Sequence, residues 1–174
     1  NKQAGFYKLN RGSGLLQKLV LEDYMYGSVK KAEKADVFCW TKQSYTDYPD
    51  LYVSGLSFSH PTKVTTANPQ QKNYLWGTVE LVSWISFDGD PLQGLLYKPE
   101  NFDTTKKYPM MVYFYERYSN SLHRHYVPKP IRSVINFTYY VSNGYMIFIP
   151  DIKYKTGYPG PSAFNCIISG TQAI

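Results

Sequence analysis

Two uninterrupted apolar runs, Met110–Tyr115 (MMVYFY) and Tyr145–Ile149 (YMIFI), constrain this chain more than any other feature of it. A strand with one wet face alternates between apolar and polar residues. A strand that is apolar at every position has both faces covered, as in a parallel sheet layered with helices. Between the runs, Ile131, Val134, Ile135 and Thr138 stand at helical spacing after Pro130, and Asn143-Gly144 supplies a left-handed stop. A helix is therefore expected over Ile131–Ser142. Strand, helix, strand with buried strands implies a parallel pair joined by a right-handed crossover. Upstream, Gly77–Tyr97 is a pair of alternating runs around Asp88-Gly89-Asp90, a strong hairpin signal. Downstream, Pro150–Gly160 is a Gly/Pro loop, and Pro161 opens a second helix running to Ile174. The second half thus predicts an α/β fold with a mixed sheet.

The first part has a different texture. Ala4–Leu9, Leu15–Leu21, Asp36–Thr41 and Asp50–Phe58 are short strand-like runs at roughly ten-residue spacing, separated by turns such as Gly12-Ser13-Gly14 and the polar loop Lys42–Pro49. Val29–Asp36 is charged and fits a loop or a hairpin. Such spacing suits an antiparallel meander, a sandwich or a propeller blade. The 18 tyrosines, within an aromatic share of 17%, favour strands and half-wet surfaces. Ser59–Lys72 is polar, carries Pro61, Asn68 and Pro69, and predicts a linker, with a boundary near Tyr74.

Charge and cysteines narrow the function classes. The formal net charge is +6, but the basic residues are scattered, and the tightest run, Lys30-Lys31 with Lys34, is broken by Glu33 and Asp36. No nucleic-acid-binding motif accompanies them, so no nucleic-acid partner is expected. Cys39 and Cys166 lack a CxxC and lack a His at ligand spacing, so two separate buried thiols are expected. No apolar run approaches the ~18 residues that span a bilayer. No signal peptide opens the chain, and its two ends suggest an internal fragment.

The search for chemistry finds no G-x-S-x-G nucleophile elbow, so a Ser-His-Asp triad cannot be assembled. His123-Arg124-His125 puts two imidazoles on one extended segment, but without a third ligand a solvated loop is the better reading, and no metal or cofactor is expected. Asp88 and Asp90 flank a hairpin Gly, where Asp serves the turn. Asn136-Phe137-Thr138 matches a glycosylation sequon but falls inside the expected helix. The informative stretch is Tyr113–Tyr118 (YFYERY), which ends a buried strand and begins a loop. Ligands of open α/β sheets sit beyond the carboxyl ends of the strands, so Tyr115 should aim its phenol toward that crevice. A phenol there can donate to a developing oxyanion. Spacing alone favours the plainer alternative, a strand-end Tyr that packs its ring and wets its hydroxyl.

The stretch Asn68–Glu116 resembles the start of the catalytic domain of the prolyl oligopeptidase family, and within it the dipeptidyl peptidase IV branch. The residues that carry the resemblance are Phe87-Asp88-Gly89, Gly94-Leu95-Leu96-Tyr97-Lys98-Pro99 and Lys106-Lys107-Tyr108-Pro109 with the apolar strand after it. Gly144–Asp151 followed by Gly157–Gly160 resembles the next strand and its loop, and Asp50–Ser54 the last propeller blade. The resemblance implies the C-terminal end of a β-propeller over residues 1–70. It implies the first half of an α/β-hydrolase mixed sheet, truncated, over residues 71–174. It also implies a Ser-Asp-His triad beyond Ile174, and it matches Tyr115 to the Tyr whose hydroxyl serves the oxyanion hole. Many members follow that Tyr with small residues and a Pro; Glu116-Arg117-Tyr118 stands here instead, which puts the shape of the loop in question.

Part of a serine-type, dipeptidyl-peptidase-like exopeptidase or oligopeptidase is the expected function, with the chain inactive alone. Its expected partners are a peptide substrate and a second copy of the full-length protein, and its expected location is the cell envelope or exterior. The alternatives are a non-enzymatic β-rich module binding peptide or glycan through its tyrosines, and a hydrolase relative that has lost its triad.

Overall fold

The computed structural model describes residues 2–129 and 135–174. It divides into two compact units, Asn1–Gln70 with His123–His125, and Gln71–Leu122 with Tyr126–Ile174.

The first unit is antiparallel β. A hairpin joins β1 (Ala4–Leu9) to β2 (Leu16–Glu22), with a register shift at Phe6/Tyr7. A second sheet is built on β5 (Val37–Gln43) and β6 (Asp50–Gly55), paired so that Trp40 faces Tyr52. The short β3 (Met25–Tyr26) and β4 (Lys30–Lys31) both pair with β5, and β7 (Thr62–Lys63) pairs with β6. The charged segment Val29–Asp36 is thus a short hairpin arm. Its core is aromatic: Phe58 lies 4.9 Å from Trp40, 5.0 Å from Phe6 and 5.2 Å from Phe38, ring centre to ring centre. Beside it Asp50 is buried and accepts from the Thr65 hydroxyl at 2.7 Å and the Ala67 N–H at 2.8 Å while pairing with Lys63. Burial raises its pKa, but these donors outweigh burial and leave the carboxyl below its ordinary value.

The second unit is a four-stranded mixed sheet in the order β10-β11-β9-β8. β8 (Thr78–Ile85) and β9 (Pro91–Lys98) form the expected hairpin, closed by Ser86–Asp90 with Gly89 at φ 80°. β11 (Met146–Pro150) pairs antiparallel with β9 and parallel with β10 (Met110–Val112), Met110 opposite Met146. β9 and β11 are inner strands: Leu95, Tyr97, Ile147, Phe148 and Ile149 are fully enclosed. On one face lies α2 (Pro159–Ala173), whose Cys166 and Ile167 join Trp84, Leu92, Leu96 and Phe148 in one cluster. A Cβ on Gly170 would stand 2.7 Å from the Trp84 ring, so only Gly allows this approach. α1 (Phe137–Ser142) contributes Phe137, whose ring stacks 5.2 Å from Tyr97.

Four expectations need correcting. The apolar run Met110–Tyr115 is a strand only to Val112, and Met110, Met111 and Val112 are half-buried rather than enclosed. The reason is position: among the described residues β10 is at the sheet edge, bonded to β11. The helix expected over Ile131–Ser142 begins at Phe137, after Ile135, because Asn136 takes extended dihedrals and caps the Tyr139 N–H with its side chain; Ile131 and Val134 lie outside the described residues. The sequon Asn is therefore a cap, not a helix-interior residue. Cys166 is buried and reduced as expected, but Cys39 is only half-buried. Finally, His123 and His125 are not in a solvated loop. His125 is 6% exposed, its Nδ1 3.1 Å from the Tyr45 carbonyl oxygen and its N–H bonded to the Gln43 side chain, while His123 Nε2 lies 3.9 Å from Asp23. Burial lowers the pKa of both imidazoles.

Candidate active site at the carboxyl ends of β10 and β11

Beyond Val112 the chain leaves the sheet in steps. The Tyr113 N–H still donates to the Phe148 carbonyl at 3.0 Å, prolonging the ladder by one bond. The Tyr113 ring turns inward, edge-on to Phe137 and Tyr118. A hydrogen bond with Tyr118, then burial, pushes its phenol up to about 12. The next side chains turn outward: Phe114 is 50% and Tyr115 75% exposed. The Tyr115 phenol is therefore presented to solvent beyond the carboxyl end of β10, and is not packed in the core.

A second segment holds this loop. After β11, Asp151 accepts the N–H groups of Tyr118 at 2.7 Å and Ser119 at 2.9 Å through Oδ1, and the Ser119 hydroxyl through Oδ2. The Ile152 N–H donates to the Glu116 carbonyl at 2.8 Å, and the Tyr154 hydroxyl to the Tyr115 carbonyl at 3.1 Å. Glu116-Arg117-Tyr118 thus sit in a loop whose backbone is fixed on both sides of Tyr115, bulky side chains notwithstanding.

The turn carboxylates do more than the sequence suggested. Besides closing the β8–β9 hairpin, Asp88 pairs with Lys155 at 3.2 Å and accepts from Asn165 at 3.1 Å, and Asp90 pairs with Lys153. The Asn165 amide and then Lys155 hold the Asp88 carboxyl below its ordinary value. Residues 151–155 are consequently tied to the post-β10 loop by Asp151 and Tyr154, and to the hairpin by Lys153 and Lys155. The sequence reading took in Asp151 only as the end of a strand and gave it no role, because its partners lie 32 and 33 residues away.

The hydroxyls nearby are committed elsewhere. Ser162 is buried, donates to the Tyr158 carbonyl at 2.7 Å and accepts the Lys155 N–H at 3.0 Å. Among the described residues no group of three or more His, Cys, Asp or Glu could hold a metal ion, and no helix is long and apolar enough to cross a membrane.

No family model matches the sequence, and neither does any curated protein. Solved structures do match, among them peptidases. The AtxE2 isopeptidase superimposes with a TM-score of 0.66 at 11% identity, over 96% of this chain and 27% of its own. The acylaminoacyl peptidase of Pyrococcus horikoshii gives 0.62 at 15% identity, over 92% of this chain and 26% of its own. A putative dipeptidyl aminopeptidase IV from Bacteroides ovatus gives 0.58 at 19% identity, over 87% and 22%. At these identities the likeness is one of fold: the chain has the fold of a segment found in prolyl oligopeptidase and dipeptidyl peptidase IV-like structures. It spans about a quarter of the length of the structures it matches.

Proposed function

We propose that this chain is a segment of a serine peptidase of the prolyl oligopeptidase type, dipeptidyl-peptidase-like in substrate, with Tyr115 as an oxyanion-hole donor. Residues 1–70 then belong to the end of a β-propeller, and residues 71–174 to the first part of an α/β-hydrolase domain. The serine, aspartate and histidine come from sequence outside this segment, so the segment alone is inactive. One observation carries the reading: an exposed phenol, on a backbone bonded at both flanks, beyond the carboxyl end of the parallel pair β10–β11. That is where ligands of such sheets bind. In peptide hydrolysis negative charge builds on the scissile carbonyl oxygen. A donor already in place meets that charge without reorganising.

Removing one such donor raises the barrier by about 2.7–4 kcal/mol. In the full-length protein, Tyr115→Phe should therefore lower kcat for a dipeptidyl p-nitroanilide about a hundredfold or more, with the melting temperature unchanged. Turnover within about threefold of wild type, far short of the cost of a lost donor, removes Tyr115 from the mechanism.

A further inference from the structure

An oxyanion donor acts only if its oxygen stands within a few tenths of an ångström of the right place, and a misplacement of about 1 Å can cost a hundredfold in rate. Within this segment little packs on Tyr115, three quarters of which is exposed. Its position is inherited from the backbone on either side. The upstream hold, Tyr113 N–H to Phe148, is a bond between main chains and survives any side-chain change. The downstream hold differs. The Ile152–Glu116 bond is also between main chains, but the two residues that end the loop, Tyr118 and Ser119, are gripped by the single side chain of Asp151.

The Asp151 carboxylate suits that task. Its own N–H is bonded to the Gln93 carbonyl at 2.9 Å, which roots it on β9. It receives three donors, two of them consecutive main-chain N–H groups, and hydrogen bonds to a charged acceptor are about twice as strong as neutral ones. Ser119, which gives both its N–H and its hydroxyl, is 2% exposed, so the grip is shielded from competing water.

We infer that Asp151 is a positioning residue for the proposed reaction: its carboxylate, closed over Tyr118 and Ser119, sets where the Tyr115 phenol stands. The inference rests on the assignment of Tyr115 made above. Asp151 touches neither substrate nor reacting atoms. Its effect should pass entirely through Tyr115 and should fall on kcat rather than KM. A side chain serving only stability would lower the melting temperature and act independently of Tyr115.

The test uses the full-length protein with a dipeptidyl p-nitroanilide, in a double-mutant cycle of Asp151→Ala with Tyr115→Phe. Asp151→Ala should lower kcat about tenfold or more, with KM within about twofold, because the phenol is displaced. Asp151→Asn keeps the shape and the main-chain bonds and should restore most of that loss. In the Tyr115→Phe background, Asp151→Ala should change kcat by less than about twofold, since the phenol it positions is gone. Should the Ala variant not fold, Asp151→Ser, whose shorter side chain also gives up the grip on Tyr118 and Ser119, carries the same cycle, and amide exchange at residues 115–119 is read alongside. Multiplicative losses in the double variant, or Asp151→Ala or Asp151→Ser at wild-type turnover with unchanged exchange, overturn the inference while leaving Tyr115 in place. Tyr115→Phe at wild-type turnover, with faster exchange in Asp151→Ala or Asp151→Ser, overturns the reading of Tyr115 and the inference with it.

Discussion

The two units keep their strands together by different means. In the first, short antiparallel strands surround a knot of rings, Phe6, Phe38, Trp40 and Phe58, and its buried ionisable groups, Asp50 and His125, are bonded into loops. In the second, two inner strands are enclosed along most of their length and helices cover the sheet. The first resists by side-chain interlock and by specific polar bonds. The second resists by burying continuous apolar backbone. A site needing fixed geometry at a strand end gains from the second arrangement, because the half-buried edge strand β10 is laid against the enclosed strand β11 and its following loop is bonded to the residues after β11.

Four measurements break or sharpen this contrast. The largest effect is expected in the second unit: Phe148→Ala, at a fully enclosed position between Trp84 and α2, should cost about 3–5 kcal/mol in chemical denaturation. A loss below about 1 kcal/mol would mean that α2 is not packed against this face of the sheet. Next, Gly170→Leu drives a side chain into the Trp84 ring and should cost about 1–3 kcal/mol, with Trp84 fluorescence shifted; an unchanged spectrum would refute the close approach.

In the first unit, Asp50→Asn should remove charge-assisted bonds worth about 1.5–3 kcal/mol. The sign of its pH dependence follows from its depressed pKa. The stabilisation is present above the ordinary value of 3.8 and is lost as pH falls through the lower folded value. The smallest effect belongs to His123 and His125, whose folded pKa values are also lowered, here by burial. Burial makes protonation less favourable in the fold than in the unfolded chain, so protons favour the unfolded chain, and the loss begins earlier, as pH falls below 6.5 toward the lower folded values. The first unit should therefore soften as pH falls below 6.5 while the second does not. Replacing both residues by Gln should flatten that slope, and a slope that persists would show that other groups carry it.

Much of the second unit was legible in the sequence. Alternation around Asp88-Gly89 gave the hairpin, continuous apolar runs gave the parallel pair, and Asn143-Gly144 ended α1. What was not legible is what depends on distant partners. Whether an apolar run sits inside a sheet or at its edge is decided by neighbours, so local pattern alone did not show that Met110–Val112 is half-buried at the edge of this sheet. His125 looked solvated because its partners, Gln43 and Tyr45, precede it by 82 and 80 residues. At the candidate site, local pattern located Tyr115 but said nothing of Asp151, whose role exists only once two strand ends lie side by side.

The most direct test of the central claim is the reaction of the full-length protein with a fluorophosphonate, whose phosphoryl oxygen occupies the oxyanion position. The account predicts covalent labelling of a serine outside these 174 residues. It also predicts labelling about a hundredfold slower in Tyr115→Phe, as expected for a lost oxyanion donor. No labelling, or labelling at the same rate with and without the phenol, would contradict it.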